Sequence, residues 1–157
     1  MAHEVDADFD AQGLRFCVVA SRYNRAYVER LVAAALDTLR SRGAVDEDVE
    51  VMWVPGAFEL PLACQWAAAS SRFSAVLAFG VLIRGETEHF RLVAEASAQG
   101  LGAVALGTDT PVLNGVLAAA SAEQVAARAG GALGNRGAEV ALAAVQMAGL
   151  RRRLGRG

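Results

Sequence analysis

Histidine and cysteine are scarce in this sequence, and their scarcity limits the chemistry that the protein can perform. The chain of 157 residues contains two histidines and two cysteines. Cys17 and Cys64 fall in patterns typical of a buried strand and a buried helix, and their spacing is not that of metal ligands. Two buried thiols are typical of a protein in a reducing cytoplasm. His3 belongs to an acidic N-terminal segment, so an imidazole that transfers protons near neutral pH has to be His89.

The sequence also lacks a signal peptide, a transmembrane run and an excess of either charge. Its N-terminal segment is acidic without an apolar core, and no uninterrupted apolar stretch is long enough to span a membrane. The 15 basic and 17 acidic residues give a net charge of −2, which offers no reason to expect a nucleic-acid partner. We therefore expect a cytoplasmic protein with neither nucleic-acid nor membrane partners. The hydrophobic content of 54% is high for a soluble monomer and indicates a buried subunit interface.

Strand and helix patterns alternate along the chain. They predict a flexible N-terminal tail at residues 1–14 and a single α/β domain at 15–157. Strands are predicted at 15–21, 49–54, 75–79, 103–106 and 112–117. Helices are predicted from Asn24 to about residue 43, at 60–69, at 90–100, after Ser121 and at 138–150, with a kink or loop at 130–137. This alternation predicts a three-layer sandwich, in which a mainly parallel sheet carries helices on both faces. The last helix is apolar almost all round, so we expect it to be buried between layers or subunits.

The segment that follows the third predicted strand has the features of an anion site. Gly80 and Gly85 allow backbone N–H groups to approach a ligand, and Thr87 adds a hydroxyl donor. A helix pattern starts at Phe90, so the loop lies at a helix N-terminus, which favours anions. His89 lies in the first turn, where it could transfer protons or serve only as a capping or packing residue.

Three further side chains stand out within or directly after predicted strands. Tyr23 could stack on a flat ring or pack in the core. Glu59 could accept hydrogen bonds from ligand hydroxyls or complement a helix dipole. Asn114 interrupts an apolar run, so its amide must face a ligand, a neighbouring chain or water.

Six motifs in a fixed order resemble those of one enzyme family. They are Ser-Arg-Tyr-Asn at 21–24, Trp-Val-Pro-Gly-Ala-Phe-Glu at 53–59, Ile-Arg-Gly-Glu-Thr-Glu-His-Phe at 83–90, Pro-Val-Leu-Asn-Gly-Val-Leu at 111–117, Arg-Ala-Gly at 128–130 and Gly-Asn-Arg-Gly-Ala-Glu at 134–139. Together they resemble the 6,7-dimethyl-8-ribityllumazine synthase family, from about residue 15 to residue 150. No single motif is sufficient, and the specificity comes from their order and spacing.

The resemblance implies a flavodoxin-like fold and a defined reaction in riboflavin biosynthesis. The family condenses 5-amino-6-(D-ribitylamino)uracil with 3,4-dihydroxy-2-butanone 4-phosphate, and it releases phosphate and two waters without a metal or organic cofactor. It also implies a homo-oligomer built from pentamers, with sites between adjacent subunits. A shell of sixty subunits and riboflavin synthase as a partner are further expectations from the resemblance.

The resemblance also implies which residues bind the substrates. Tyr23 would stack on the pyrimidine with Asn24 beside it, and Asn114 of a neighbouring chain would cover the ring. The remaining binding positions match the ribityl-binding turn at Gly56, Ala57, Phe58 and Glu59, the strand end that holds the uracil edge at Val81, Leu82 and Ile83, and the phosphate loop at Gly85, Glu86 and Thr87.

Catalytic roles follow from the same resemblance. His89 matches the proposed proton-transfer histidine, and Arg128 matches the arginine that holds the phosphate from the neighbouring subunit. Glu139 matches an acid near the site, and Arg136 takes a substrate-binding position that is usually lysine.

Several positions depart from the common family pattern. Tyr23 and Asn114 each replace a frequent phenylalanine, and Glu86 and Glu88 stand where alanine and proline are common. Near a phosphate, a carboxylate at position 86 is unfavourable unless its side chain points away. Two other functions stay open beside the enzyme. One is a non-catalytic relative that binds a flavin or lumazine or serves only as a shell, and the other is a general nucleotide-binding module of the flavodoxin-like kind.

Overall fold

The computed structural model describes residues 1–156, and a four-stranded parallel sheet lies at its centre. The sheet has the strand order β2-β1-β3-β4. Its strands are β1 (Phe16–Ser21), β2 (Val49–Val54), β3 (Ala75–Ile83) and β4 (Val112–Ala119). The helices are α1 (Arg25–Ser41), α2 (Leu60–Ala69), α3 (His89–Thr108), α4 (Ala122–Arg128) and α5 (Arg136–Arg153). This is the flavodoxin-like α/β sandwich that the sequence predicts.

Helices cover the sheet on both sides, and each side has its own apolar core. One core joins the sheet to α1 and α5 and contains Phe16, Leu31 and Phe79. The other joins it to α2 and α3 and contains Leu60 and Val76. The central strands β1 and β3 are buried on both sides, which explains their continuous apolar runs. The two sides of the sheet are called the α1/α5 face and the α2/α3 face below.

The prediction of a strand at 103–106 is wrong, because those residues belong to the long helix α3. The sheet therefore has four parallel strands rather than five. Gly100 suggested the end of a helix, yet its role is close packing: a Cβ atom there would lie 2.6 Å from Cγ of Pro61 on α2. A short apolar run of four residues does not distinguish a buried strand from a stretch of helix.

The segment predicted as a loop at 130–137 contains a small antiparallel pair and the start of the last helix. Strand β5 (Ala129–Gly131) pairs with β6 (Gly134–Asn135), and α5 begins at Arg136. The Asn135 Oδ1 accepts a hydrogen bond from the Gly137 N–H at 2.7 Å and so caps α5. The helix then crosses α1 closely, since a Cβ atom at Gly137 would lie 2.0 Å from the Leu31 carbonyl oxygen.

The N-terminal segment, residues 1–14, forms neither helix nor strand. Ala11 and Leu14 are nevertheless buried in the core of the α1/α5 face. The division into a flexible tail and a domain that starts at residue 15 stays a prediction.

Candidate active site

A cleft of about 800 Å³ opens at the carboxyl ends of β1, β2 and β3. Parallel α/β sheets bind ligands at this edge, and the volume suits a small organic ligand. The walls come from the turns after β1 and β2, the end of β3 and the start of α3. They are formed by Tyr23, Pro55, Gly56, Ala57, Phe58, Glu59, Leu82, Ile83, Gly85, Thr87, His89, Phe90, Leu92 and Val93. The residues that the sequence assigned to the aromatic position, the ribityl turn and the phosphate loop thus share one cleft for the most part. This surface is called the cleft below.

Two aromatic side chains stand open at the mouth of the cleft. Tyr23 is 67% exposed and Phe58 is 65% exposed. Large apolar surfaces that remain in water favour a ligand or a neighbouring chain that covers them. The core-packing alternative for Tyr23 is therefore excluded within a single chain, whereas stacking on a flat ring remains available.

The turn after β2 brings a carboxylate over exposed backbone. Residues Ala57–Glu59 form one turn of 3₁₀ helix, and the Glu59 N–H donates to the Gly56 carbonyl at 3.2 Å. A Cβ atom at Gly56 would lie 3.4 Å from Oε1 of Glu59, so the carboxylate lies directly above that glycine. The turn can therefore offer a carboxylate acceptor and backbone groups to the same ligand.

The loop after β3 leads into the N-terminus of α3, whose N-cap residue forms no capping hydrogen bond. The Glu88 side chain does not cap the helix, while the Thr87 Oγ1 accepts from the His89 N–H at 3.3 Å. The Glu88 carboxylate instead forms an ion pair with Arg91 at 2.8 Å, and Arg91 also contacts Glu95 at 3.2 Å. The pKa of Arg91 is raised, chiefly by the hydrogen bond to Glu88 and also by Glu95. The helix end is therefore open to an anion, because no acidic side chain occupies its first turn.

Asn24 and Val81 were predicted as substrate-binding residues, and they contact each other. The Asn24 Nδ2 donates to the Val81 carbonyl at 2.8 Å, which links the start of α1 to the end of β3. Asn24 stands at the N-cap position of α1 as predicted, but its side chain forms no capping hydrogen bond there.

The three predicted residues Arg128, Arg136 and Glu139 line a second hollow of about 320 Å³ together with Leu117 and Leu133. The Arg136 Nη1 lies 3.0 Å from Oε2 of Glu139, so these two charges are paired. Arg128 ends α4, and its Nη1 donates to the Gln124 carbonyl at 3.0 Å. The Arg128 guanidinium keeps further donors that can bind an anion. This surface is called the groove below.

The cleft and the groove are separate surfaces that share no lining residue. His89 lines the cleft, whereas Arg128 lines the groove. One subunit therefore does not bring His89 and Arg128 into a common site. Asn114 lies in neither surface: it is exposed on the edge strand β4, where its Oδ1 accepts from the Val116 N–H at 3.0 Å.

The sequence did not identify every residue that lines these surfaces. Phe90, Leu92 and Val93 form an apolar wall of the cleft from the first turns of α3. The helical spacing of Phe90 and Val93, directly after the phosphate loop, is a signal that could have found them. Leu133 in the groove had no such signal, because it lies in the segment expected to be a loop.

The described part of the chain shows no grouping suited to a metal. Across residues 1–156, no three His, Cys, Asp or Glu side chains come together as a metal site. Cys17 and Cys64 are buried free thiols, and burial raises the pKa of each to about 12. In the same residues, none of the helices combines the length and apolar character that crossing a membrane demands.

Comparison with known protein families gives one match that covers nearly the whole chain. The model of the family described as 6,7-dimethyl-8-ribityllumazine synthase matches residues 13–152. The matched range includes both the cleft and the groove.

Proposed function

Because the chain belongs to the 6,7-dimethyl-8-ribityllumazine synthase family, we propose that its active site combines the cleft of one subunit with the groove of another. The family catalyses the formation of 6,7-dimethyl-8-ribityllumazine in riboflavin biosynthesis. One observation carries the proposal: His89 and the aromatic side chains line the cleft, whereas Arg128 lines the separate groove. A site that needs both is complete only where two copies meet.

The pyrimidine substrate would bind in the cleft. Tyr23 offers an exposed ring for stacking, and the backbone of Ile83 offers a donor and an acceptor for the uracil edge. Glu59 would accept hydrogen bonds from the ribityl hydroxyls, with Gly56, Ala57 and Phe58 forming the floor and side of that subsite. Asn114 of the neighbouring subunit would lie over the ring and would offer its Nδ2 donors, since its Oδ1 already accepts from its own strand.

The phosphate of the second substrate would bind at the start of α3. Backbone N–H groups of the loop Gly85, Glu86 and Thr87 and the positive end of the helix dipole favour an anion there. Arg128 of the neighbouring subunit would supply the full positive charge through its planar guanidinium, which can form two parallel hydrogen bonds to phosphate. Arg136 is less available, because Glu139 already neutralises it.

The reaction then requires positioning and proton transfer. The amine of the pyrimidine attacks the ketone and forms an imine with loss of one water, phosphate is eliminated, and the ring closes with loss of a second water. Holding both reactants together is worth about 7–11 kcal/mol in favourable cases. His89 would move protons between these steps, which is worth about 10²–10⁴ in rate. Glu139 would keep Arg136 oriented towards the reacting groups.

The proposed assembly is a homo-oligomer built from pentamers in the cytoplasm. Leu62 and Trp66 project from α2 and are 53% and 65% exposed, and Leu106 on α3 is 89% exposed. Such surfaces on a single chain favour burial between copies. We further propose a shell of sixty subunits and riboflavin synthase as a partner, and we retain the domain division at residue 15.

Mixed assemblies test the shared site directly. The variants His89→Ala and Arg128→Ala are each expected to be weakly active alone, because every site lacks one of the two groups. Unfolding and refolding them together in equal amounts should restore about a quarter of wild-type activity, since a random neighbour pair then combines an intact cleft with an intact groove. No gain over the separately refolded variants would contradict the shared site, provided that the mixed protein has the same size in light scattering.

A further inference from the structure

Strand β3 extends beyond the end of β1. The ladder between β1 and β3 ends at the pair Ala20 and Phe79, whereas the ladder between β3 and β4 continues to Ile83 and Ala119. The last residues of β3 therefore have a strand neighbour on one side only. Their other side opens towards the cleft, which Ile83 lines.

The hydrogen bonds of β3 show which backbone groups face that open side. The Val76 N–H donates to the Pro111 carbonyl and the Arg84 N–H donates to the Ala119 carbonyl, each at 2.9 Å, so even-numbered residues face β4. Backbone groups alternate along a strand, so Val81 and Ile83 face the opposite way, where β1 has already ended. A buried carbonyl on that side needs a donor from elsewhere.

Asn24 supplies that donor from its side chain. Its Nδ2 donates to the Val81 carbonyl at 2.8 Å. A carbonyl accepts but cannot donate, so the amide orientation is determined: the NH₂ group faces Val81. The carboxamide thus donates to the Val81 carbonyl in place of the backbone N–H that a longer β1 would have supplied.

The backbone of Asn24 is adapted to this contact rather than to helix capping. Its φ and ψ of 57° and 41° lie in the left-handed region, and its side chain forms no capping hydrogen bond with α1. Left-handed backbone in residues other than glycine is uncommon and carries strain, which asparagine tolerates better than most residues. The strained turn at Asn24 follows Tyr23, which lines the same cleft as Ile83 at the end of β3, while the amide holds Val81.

We propose that Asn24 is a positioning residue, whose carboxamide aligns the end of β3 so that the Ile83 backbone and the Tyr23 ring meet one flat substrate ring. Asn24 acts through Val81 and does not itself touch the substrate. The inference rests on the pyrimidine site proposed above and refines it, because it separates the residue that arranges the site from those that contact the ring.

Two variants remove the Nδ2 donor of Asn24 and so test its role. Asn24→Gly keeps the left-handed backbone without strain and removes the amide. Asn24→Asp keeps the shape and tolerates the same backbone, but its carboxylate places a negative oxygen against the Val81 carbonyl. For each variant, kcat and both KM values are measured on the refolded oligomer, and the urea midpoint is measured on the ligand-free protein.

In both measurements Asn24→Gly should differ from wild type, and Asn24→Asp should differ further in the same direction. The KM for the pyrimidine should rise about 3- to 10-fold in Asn24→Gly, as expected for the loss of one hydrogen bond, and further in Asn24→Asp. The KM for the butanone phosphate should stay within about twofold, because the phosphate loop does not depend on this bond. The urea midpoint of the ligand-free protein should fall in the same order.

Three results would overturn the proposal. A raised KM with an unchanged ligand-free midpoint would make Asn24 a direct substrate contact. A lower midpoint with an unchanged KM would leave it a purely structural residue, and an Asn24→Asp variant equal to wild type would show that the donor has no role. The Tyr23→Ala variant tests the pyrimidine site separately from the role of Asn24. An unchanged KM for the pyrimidine in that variant would refute the pyrimidine site itself, and the positioning role with it.

Discussion

Replacing Arg128 by alanine should reduce activity more than any other single truncation in the proposed site. Arg128 and Arg136 are the two cations of the groove, and Glu139 already pairs with Arg136 at 3.0 Å. Arg128 uses one Nη1 contact, to the Gln124 carbonyl, and keeps its remaining donors for an anion. Its loss would leave the phosphate with backbone donors but without an unpaired positive charge.

The size of the effect follows from the bonds that are lost. Hydrogen bonds to charged groups contribute about 1.5–3 kcal/mol each, and a guanidinium can form two to a phosphate. The expected loss in kcat/KM is therefore about 10³-fold, mostly as a higher KM for the butanone phosphate. His89→Ala should lose about 10²-fold, at the low end for a general acid or base, because His89 is exposed and water can replace part of its proton transfer.

The assay follows lumazine absorbance under anaerobic conditions, with the spontaneous reaction subtracted. Arg40→Ala is the matched control, since Arg40 lies near the far end of α1 and pairs only with exposed acids, Asp37 and Asp46. Arg128→Lys should recover part of the loss, because lysine keeps the charge but not the planar fork. Equal losses for Arg128→Ala and His89→Ala, or a larger loss for His89→Ala, would refute the reasoning.

Three further predictions concern charge, packing and burial. Glu86→Ala should lower the KM for the butanone phosphate about two- to fivefold at low salt, with a smaller change in Glu88→Ala, because the Glu88 carboxylate already has a cation partner. Gly100→Ala should lower the free energy of unfolding in urea by about 1–3 kcal/mol, since its Cβ would lie 2.6 Å from Pro61; Gly102→Ala, with nothing within 4 Å, should raise it by about 0.5–1 kcal/mol. Both cysteine thiols should resist alkylation at about pH 8 until urea unfolds the chain. Because burial raises their pKa from 9.0 to about 12, the unfolded chain loses these protons first, and stability should fall as the pH rises between those values.

The elements with strong local signals were predicted closely. The strand at 49–54 and the helix at 60–69 have the predicted bounds, since turn residues flank both segments. The helix α3 was predicted too short, because it was taken to end at about Gly100. Gly100 packs against α2, whereas a Cβ atom at Gly102 would have no neighbour within 4 Å. A contact between two helices cannot be inferred from the sequence of either helix alone.

The candidate site was predictable as a set of residues but not as a geometry. Motif order indicated Tyr23, Glu59 and His89 together, and these line one cleft. The same reasoning placed Asn24 beside Tyr23 among the substrate-binding residues, and in the structure its amide is bonded to the Val81 carbonyl. That contact joins residues 57 positions apart in the chain and depends on where β1 ends relative to β3, which is a property of the sheet register.

The two acidic positions of the phosphate loop differ in their effect, although the sequence presents them alike. The Glu88 carboxylate lies 2.8 Å from Arg91, and Arg91 continues to Glu95, so the charge of Glu88 is compensated along the exposed face of α3. Within residues 1–156, no such ion pair holds Glu86. An uncompensated carboxylate next to the helix N-terminus would compete with a phosphate for the partial positive charge at that end of the helix. In the proposed site, the negative charge that opposes phosphate binding would therefore come from Glu86, and the binding would depend on backbone N–H groups and on the arginine of the neighbouring subunit.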